Sequence, residues 1–223
     1  MIAYFDLDKT LLDVSSGSAW LKAEMAAGNL RWWDLLIGFV WLTLYHVLGV
    51  HVGEPMRLAV RKLAGRPYSD IVQTAESVYM ESVKGRARQG ALLALGHHRA
   101  QGHGVYLLSS SLDLIVEKVA QEYGFDGYLA TELHVDSEQR LTGEIKEPLC
   151  FGVGKVERAS AHLRELGLTL DDSVFYSDSV SDLPMLSAAG RGVAVNPDFR
   201  LRRGAKRLGM SIEDWGGAGR EDV

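Results

Sequence analysis

With 223 residues, 29 acidic against 24 basic side chains and a net charge of −5, the chain is long enough to bury a large core and lacks the cationic excess of a nucleic-acid binder. Its single cysteine, Cys150, excludes an intramolecular disulfide, and without a Cys/His cluster a structural zinc site is unsupported. A reducing compartment is the default, and the opening MIAYFDLDKT has two early acids and no signal-peptide pattern, so the cytoplasm is expected.

In chain order, the first element is a short apolar run, Ile2 to Phe5, read as a buried strand that ends in Asp6. A long stretch of helical character follows, more than an ordinary crossover needs, and most of it reads as an inserted helical layer. Its Trp20, Trp32, Trp33, Phe39, Trp41 and Tyr45 read first as packing residues. Within it, Leu35 to Val50 has no Asp, Glu, Lys or Arg and approaches the roughly twenty residues that span a bilayer. A single crossing there would separate Asp6 from Asp178, so buried helices are the better reading, with peripheral contact to a membrane or a lipid-like substrate as the rival.

A second strand, Val105 to Leu108, runs into Ser109-Ser110-Ser111, and a helix from Leu112 to Tyr123 stops at Gly124. Another helix is expected from Lys155 to Leu166, ending at Gly167. A third strand, Val174 to Tyr176, leads into Ser177-Asp178, and Gly192 to Asn196 reads as a fourth. Alternating strands and helices imply βαβ units, an α/β fold with a parallel sheet, and a ligand crevice outside the carboxyl ends of the strands. The segment from Gly216 to Val223 reads as a loose tail.

The chemistry-bearing residues sit at those carboxyl ends. Asp6 and Asp8 close the first strand and Asp178 and Asp182 follow the third, so four carboxylates would gather at one edge and repel one another. A hard divalent cation relieves such repulsion, and Mg²⁺ favours oxygen ligands and substrate phosphate. Ser109, Ser110 and the backbone N–H groups after them offer an anion site, and Lys155 a fixed positive charge. Each has a bland alternative: Asp and Thr suit turns and caps, Ser109 could cap a helix, and Lys155 could be a solvated lysine.

Together these segments resemble the haloacid dehalogenase superfamily, in its phosphoserine phosphatase-like branch with a helical cap after the first motif. DLDKT looks like the first motif, YLLSSS the second, FGVGKVERA the third and YSDSVSDLPML the fourth, over nearly the whole chain. The resemblance implies a Rossmann-like core at 1–13 and 86–215, a helical cap at 14–85 and a tail at 216–223. It implies a Mg²⁺-dependent phosphatase in which Asp6 is the nucleophile, Asp8 the acid–base and Thr10 an orienting group. Ser109, Ser110 and Lys155 would hold phosphate. Asp6, the Asp8 carbonyl and Asp178 would hold the metal, with Asp182 behind them.

Two positions depart from the family pattern. Ser177 stands where many relatives have glycine, a change expected to be tolerated though it crowds the metal loop, and Ser15 stands where phosphoserine-specific members place a substrate-binding glutamate. Phosphoserine is therefore not the expected preference, although that enzyme itself remains an alternative, as does a non-hydrolytic phospho-acceptor module. The expected partner is a small metabolite phosphate or a lipid phosphate, with Arg57, Arg61 and Arg66 as candidate substrate contacts and no nucleic acid.

Overall fold

A computed structural model of the chain describes residues 1–29 and 53–217. Strand β1 (Ile2–Phe5) is buried at every position and leads into a wide turn, Leu7–Leu11. Helices α1 (Ser16–Ala26), α2 (Gly53–Arg61), α3 (Tyr68–Val78) and α4 (Gln89–Ala100) follow before β2 (Gly104–Leu112). Then come α5 (Asp113–Tyr123), β3 (Gly127–Thr131), β4 (Leu133–Val135), β5 (Leu141–Ile145) and α6 (Val153–Glu165). The chain continues through β6 (Ser173–Ser177), α7 (Leu183–Ala188), β7 (Arg191–Val195), α8 (Phe199–Leu208) and β8 (Ser211–Glu213).

The principal sheet has the order β3-β2-β1-β6-β7-β8, and every neighbouring pair is parallel. The path grows first to one side of β1 and then to the other. The switch point between β1 and β6 is where an open parallel sheet leaves a crevice beyond its strand ends. Side chains alternate across the sheet. Ala3 and Phe5 face one core with Leu95, Ile115 and Val119 from α4 and α5, while Ile2 and Tyr4 face another with Leu163, Met185 and Leu201 from α6, α7 and α8. Burial on both faces explains why β1 reads as a continuous apolar run.

A third cluster joins Val60 and Ile71 of α2 and α3 to Leu133, Leu141 and Ile145 of the antiparallel hairpin β4–β5. Backbone bonds reinforce it: Gly65 N–H donates to Leu141 O at 2.8 Å, and Leu141 N–H donates to Arg66 O at 2.9 Å. The helices inserted between β1 and α4 are thus stitched to a hairpin from the middle of the chain. Trp20 is half-buried against this cluster and the first core. Trp32, Trp33, Phe39, Trp41, Tyr45 and the apolar run Leu35 to Val50 lie outside the described residues.

Several elements depart from the sequence reading. The second strand does not stop at Leu108 but continues, with a register shift, to Leu112, so Ser109–Ser111 are strand residues and α5 begins at Asp113. The hairpin, β3 and β8 are not marked in the sequence reading because they are only three to five residues long, although β5 alternates buried and exposed positions. Gly124 does end α5 in the left-handed conformation, at φ 68°. At the far end, Gly216 O accepts a bond from Arg88 and Gly217 O one from Gln89 N–H at 3.4 Å, so these two residues are tied to the start of α4 rather than loose. No helix among the described residues is long and apolar enough to cross a membrane.

Candidate active site

Asp6 is delivered by β1 and kept in register by its N–H, which donates to Tyr176 O of β6 at 3.0 Å. Its carboxylate is almost wholly buried. Lys155 reaches it from α6, Nζ lying 2.7 Å from Asp6 Oδ1 and 2.7 Å from Asp182 Oδ2. The lysine is 1% exposed and sits 5.4 Å from the Phe175 ring centroid, so it is no solvated surface group. It occupies the third position of α6 rather than its first.

Gly154 explains how the lysine gets there. A Cβ at this position would fall 1.9 Å from Leu149 O, closer than any atom can come, so only glycine lets α6 start against that carbonyl and aim Lys155 at the sheet edge.

Asp178 and Asp182 follow β6. Thr10 links the two halves: its Oγ1 accepts from Asp178 N–H at 2.9 Å and lies 3.3 Å from both Asp6 Oδ2 and Asp178 Oδ1. Ser177, expected to crowd this loop, instead donates to Asp182 Oδ2 at 2.7 Å and accepts from Ser179 N–H at 3.2 Å. The hydroxyl is a strut of the loop. Asp198, which sequence reasoning missed, braces the loop from outside by accepting from Val180 N–H at 3.2 Å, and its own N–H donates to Asp178 O at 3.0 Å. The position just before α8, a plausible cap, was the available signal.

Two carboxylates, Asp6 and Asp182, thus share one lysine, with Asp178 beside them through Thr10. Burial pushes Asp6 above the ordinary carboxylate range, Lys155 opposes this, and Asp182 and Asp178 add to it. Asp178 is pushed up to about 6, mainly by burial and then by Asp182, with Lys9 opposing. Both shifts reflect a surplus of negative charge in a low-dielectric place. Such a surplus of carboxylate charge is what a hard dication would relieve.

Asp8 belongs to a neighbouring set. Its Oδ1 accepts from Ser16 N–H at 2.8 Å, and its Oδ2 from Gly17 N–H at 3.3 Å and from Ser111 Oγ at 3.2 Å. Ser15 caps the same helix by accepting from Ser18 N–H at 3.2 Å. The N-terminus of α1 therefore holds Asp8 as an anion-binding end holds a ligand. Ser111 and Ser16, also 2.8 Å apart through their hydroxyls, are partners that motif matching did not single out, although the run SSG at 15–17 was a legible helix start.

The remaining expected contacts fare unevenly. Ser109 is buried with its Oγ accepting from Ser111 N–H at 3.1 Å, and Ser110 O accepts from Thr131 Oγ1 at 2.8 Å. The anion-binding turn expected here is a bulged strand end. Arg66 is not a free substrate contact: it pairs at 2.6 Å with Glu24, a residue 1% exposed, to which Thr74 also donates at 3.3 Å. Arg57 pairs with Glu147 at 2.8 Å, and Arg61 is exposed.

A parallel sheet whose switch point gathers buried carboxylates, a buried lysine and a threonine defines an α/β hydrolase built for oxyanion chemistry. Residues 3–187 match the haloacid dehalogenase-like hydrolase model, and the chain belongs to that family. It is 29% identical over 218 residues to a phosphoserine phosphatase of Mycobacterium tuberculosis, covering 96% of this chain and 70% of that one. It is 28% identical over 225 residues to a histidinol-phosphatase of Neisseria meningitidis, covering 95% and 97%. A crystal structure of a Bordetella pertussis protein of unknown function superposes with a TM-score of 0.82 at 26% identity, covering 96% and 98%.

Proposed function

We propose that the chain is a Mg²⁺-dependent phosphomonoester hydrolase that works through an aspartyl-phosphate on Asp6. The observation that carries this reading is the meeting of Asp6, Asp178, Asp182 and Lys155, drawn from three separate segments to one sheet edge. A bound Mg²⁺ would neutralise the carboxylates and polarise the phosphoryl group.

The side chains divide the work. Lys155 holds Asp6 oriented and would neutralise the transferring phosphoryl oxygens, as phosphoryl transfer demands mainly alignment and charge compensation. A carboxylate oxygen of Asp6 attacks phosphorus and the ester P–O bond breaks. Asp8, as the acid, gives its proton to the leaving oxygen. Water then attacks the same phosphorus, Asp8 takes the proton back, and inorganic phosphate leaves with Asp6 regenerated. Asp182, tied to Lys155 and Ser177, keeps the lysine in place.

The inserted helices within 14–85 serve in this reading as the cap that selects the substrate and shelters the reaction from water. The named relatives support a small metabolite phosphate, and the uncharged segment Leu35 to Val50 keeps a lipid phosphate in contention. Ser15 brings no acid to pair a substrate ammonium, which argues against phosphoserine as the preferred ester.

The test is turnover of p-nitrophenyl phosphate with Mg²⁺, with chelator, and in Asp6→Asn, followed by a screen of metabolite and lipid phosphates. Multiple turnovers that vanish with chelator and in the variant are expected. Undiminished turnover by Asp6→Asn with an unchanged circular dichroism spectrum would overturn the nucleophile assignment.

A further inference from the structure

The solvent face of α8 has no role in the chemistry above. Its ten residues, FRLRRGAKRL, carry Arg200, Arg202, Arg203, Lys206 and Arg207, all exposed, in a chain of net charge −5. None of the five forms an ion pair among the described residues. Leu201 and Ala205 point the other way and are fully buried, so the helix is firmly seated. At 3.6 residues per turn, positions 199, 202, 203 and 206 share one side, with 200 and 207 beside them.

Phe199 lies in the middle of that cationic arc and is 78% exposed. A lone exposed apolar side chain needs no explanation. A phenylalanine ringed by five unpaired cations is a different pattern. It matches an acidic bilayer, in which an anionic headgroup layer overlies an apolar phase that can receive the ring. A duplex nucleic acid offers the same charge but no apolar interior.

We propose that the outer face of α8 docks on an anionic lipid surface, the five cations meeting headgroup phosphates and Phe199 entering below them. α8 begins shortly after β7 and its cap, Asp198, bonds to the loop 178–180, so docking would bring that loop near the bilayer. The proposal does not depend on the hydrolase reading.

The test is co-sedimentation of the full chain with phosphatidylglycerol/phosphatidylcholine vesicles and with pure phosphatidylcholine vesicles, at low salt and at high salt. Binding is expected only to the anionic vesicles and only at low salt, where screening is weak. The triple variant Arg202→Glu/Arg203→Glu/Lys206→Glu should lower the partition coefficient roughly a hundredfold, taking each basic residue as worth about fivefold. Phe199→Ser should weaken binding with the charges intact. Circular dichroism and p-nitrophenyl phosphate turnover check that both variants remain folded. Absence of vesicle binding, binding unchanged in either variant, or α8-dependent capture of single-stranded DNA or RNA with vesicles ignored would each overturn it.

Discussion

Replacing Lys155 with methionine removes a cation within bonding distance of two buried carboxylates while keeping most of the side-chain volume. In the native chain Nζ lies 2.7 Å from Asp6 and 2.7 Å from Asp182, both nearly inaccessible. Breaking a buried pair by deleting one partner leaves uncompensated charge and typically costs about 3–5 kcal/mol. For a chain of this size each kcal/mol moves the melting midpoint by roughly 2–4 °C, so a fall of about 6–20 °C is expected in the absence of metal. Urea denaturation at neutral pH gives the free energy directly, and the loss should shrink in acid as the orphaned carboxylates protonate. Turnover should drop by two orders of magnitude or more, since a preorganised charge at the reacting group is lost. A variant within about 1 kcal/mol of the native chain at neutral pH would refute the claim that Lys155 compensates buried charge.

Ser111→Ala removes the hydroxyl that donates to Asp8 and meets Ser16, and is expected to cost about 1 kcal/mol of stability and about tenfold in kcat, measured by urea titration and steady-state kinetics. Gly154→Ala forces a Cβ against Leu149 O and should destabilise by more than about 2 kcal/mol, or else shift α6 and uncouple Lys155, seen as lost activity. Stability should also fall with acid through His98, whose pKa is pushed down to about 4, mainly by burial and then by His103 and His97. The unfolded histidine takes its proton near pH 6.5 and the folded one only near 4, so stability is complete above 6.5 and declines by up to about 3 kcal/mol as pH falls through that window. Urea midpoints recorded across this range should be flatter in His98→Asn, and equal slopes would remove His98 as the cause.

The parallel core was legible because its pattern is stamped on the sequence: three apolar runs, each closing in Asp or Ser, with Gly124 and Gly167 marking helix ends. Asp6, Thr10, Asp178 and Asp182 were legible for the same reason, since a strand's carboxyl end fixes where its next residues point, and Lys155 was legible from the glycines of FGVGK that open its helix. Elements of only three to five residues, such as the β4–β5 hairpin and β8, left too short a mark, and Arg66 looked like any surface arginine. Pairing Arg66 with Glu24 joins residues 42 positions apart, and setting Ser177 beneath Asp182 and hanging Asp8 on the first amides of α1 depend on how the intervening turns fold. Those contacts come from packing and through-space hydrogen bonds, which local pattern does not encode. Sequence alone thus determined which groups arrive at the sheet edge, and only the tertiary structure decided which of them touch, because a distance between non-adjacent residues is a property of the whole fold.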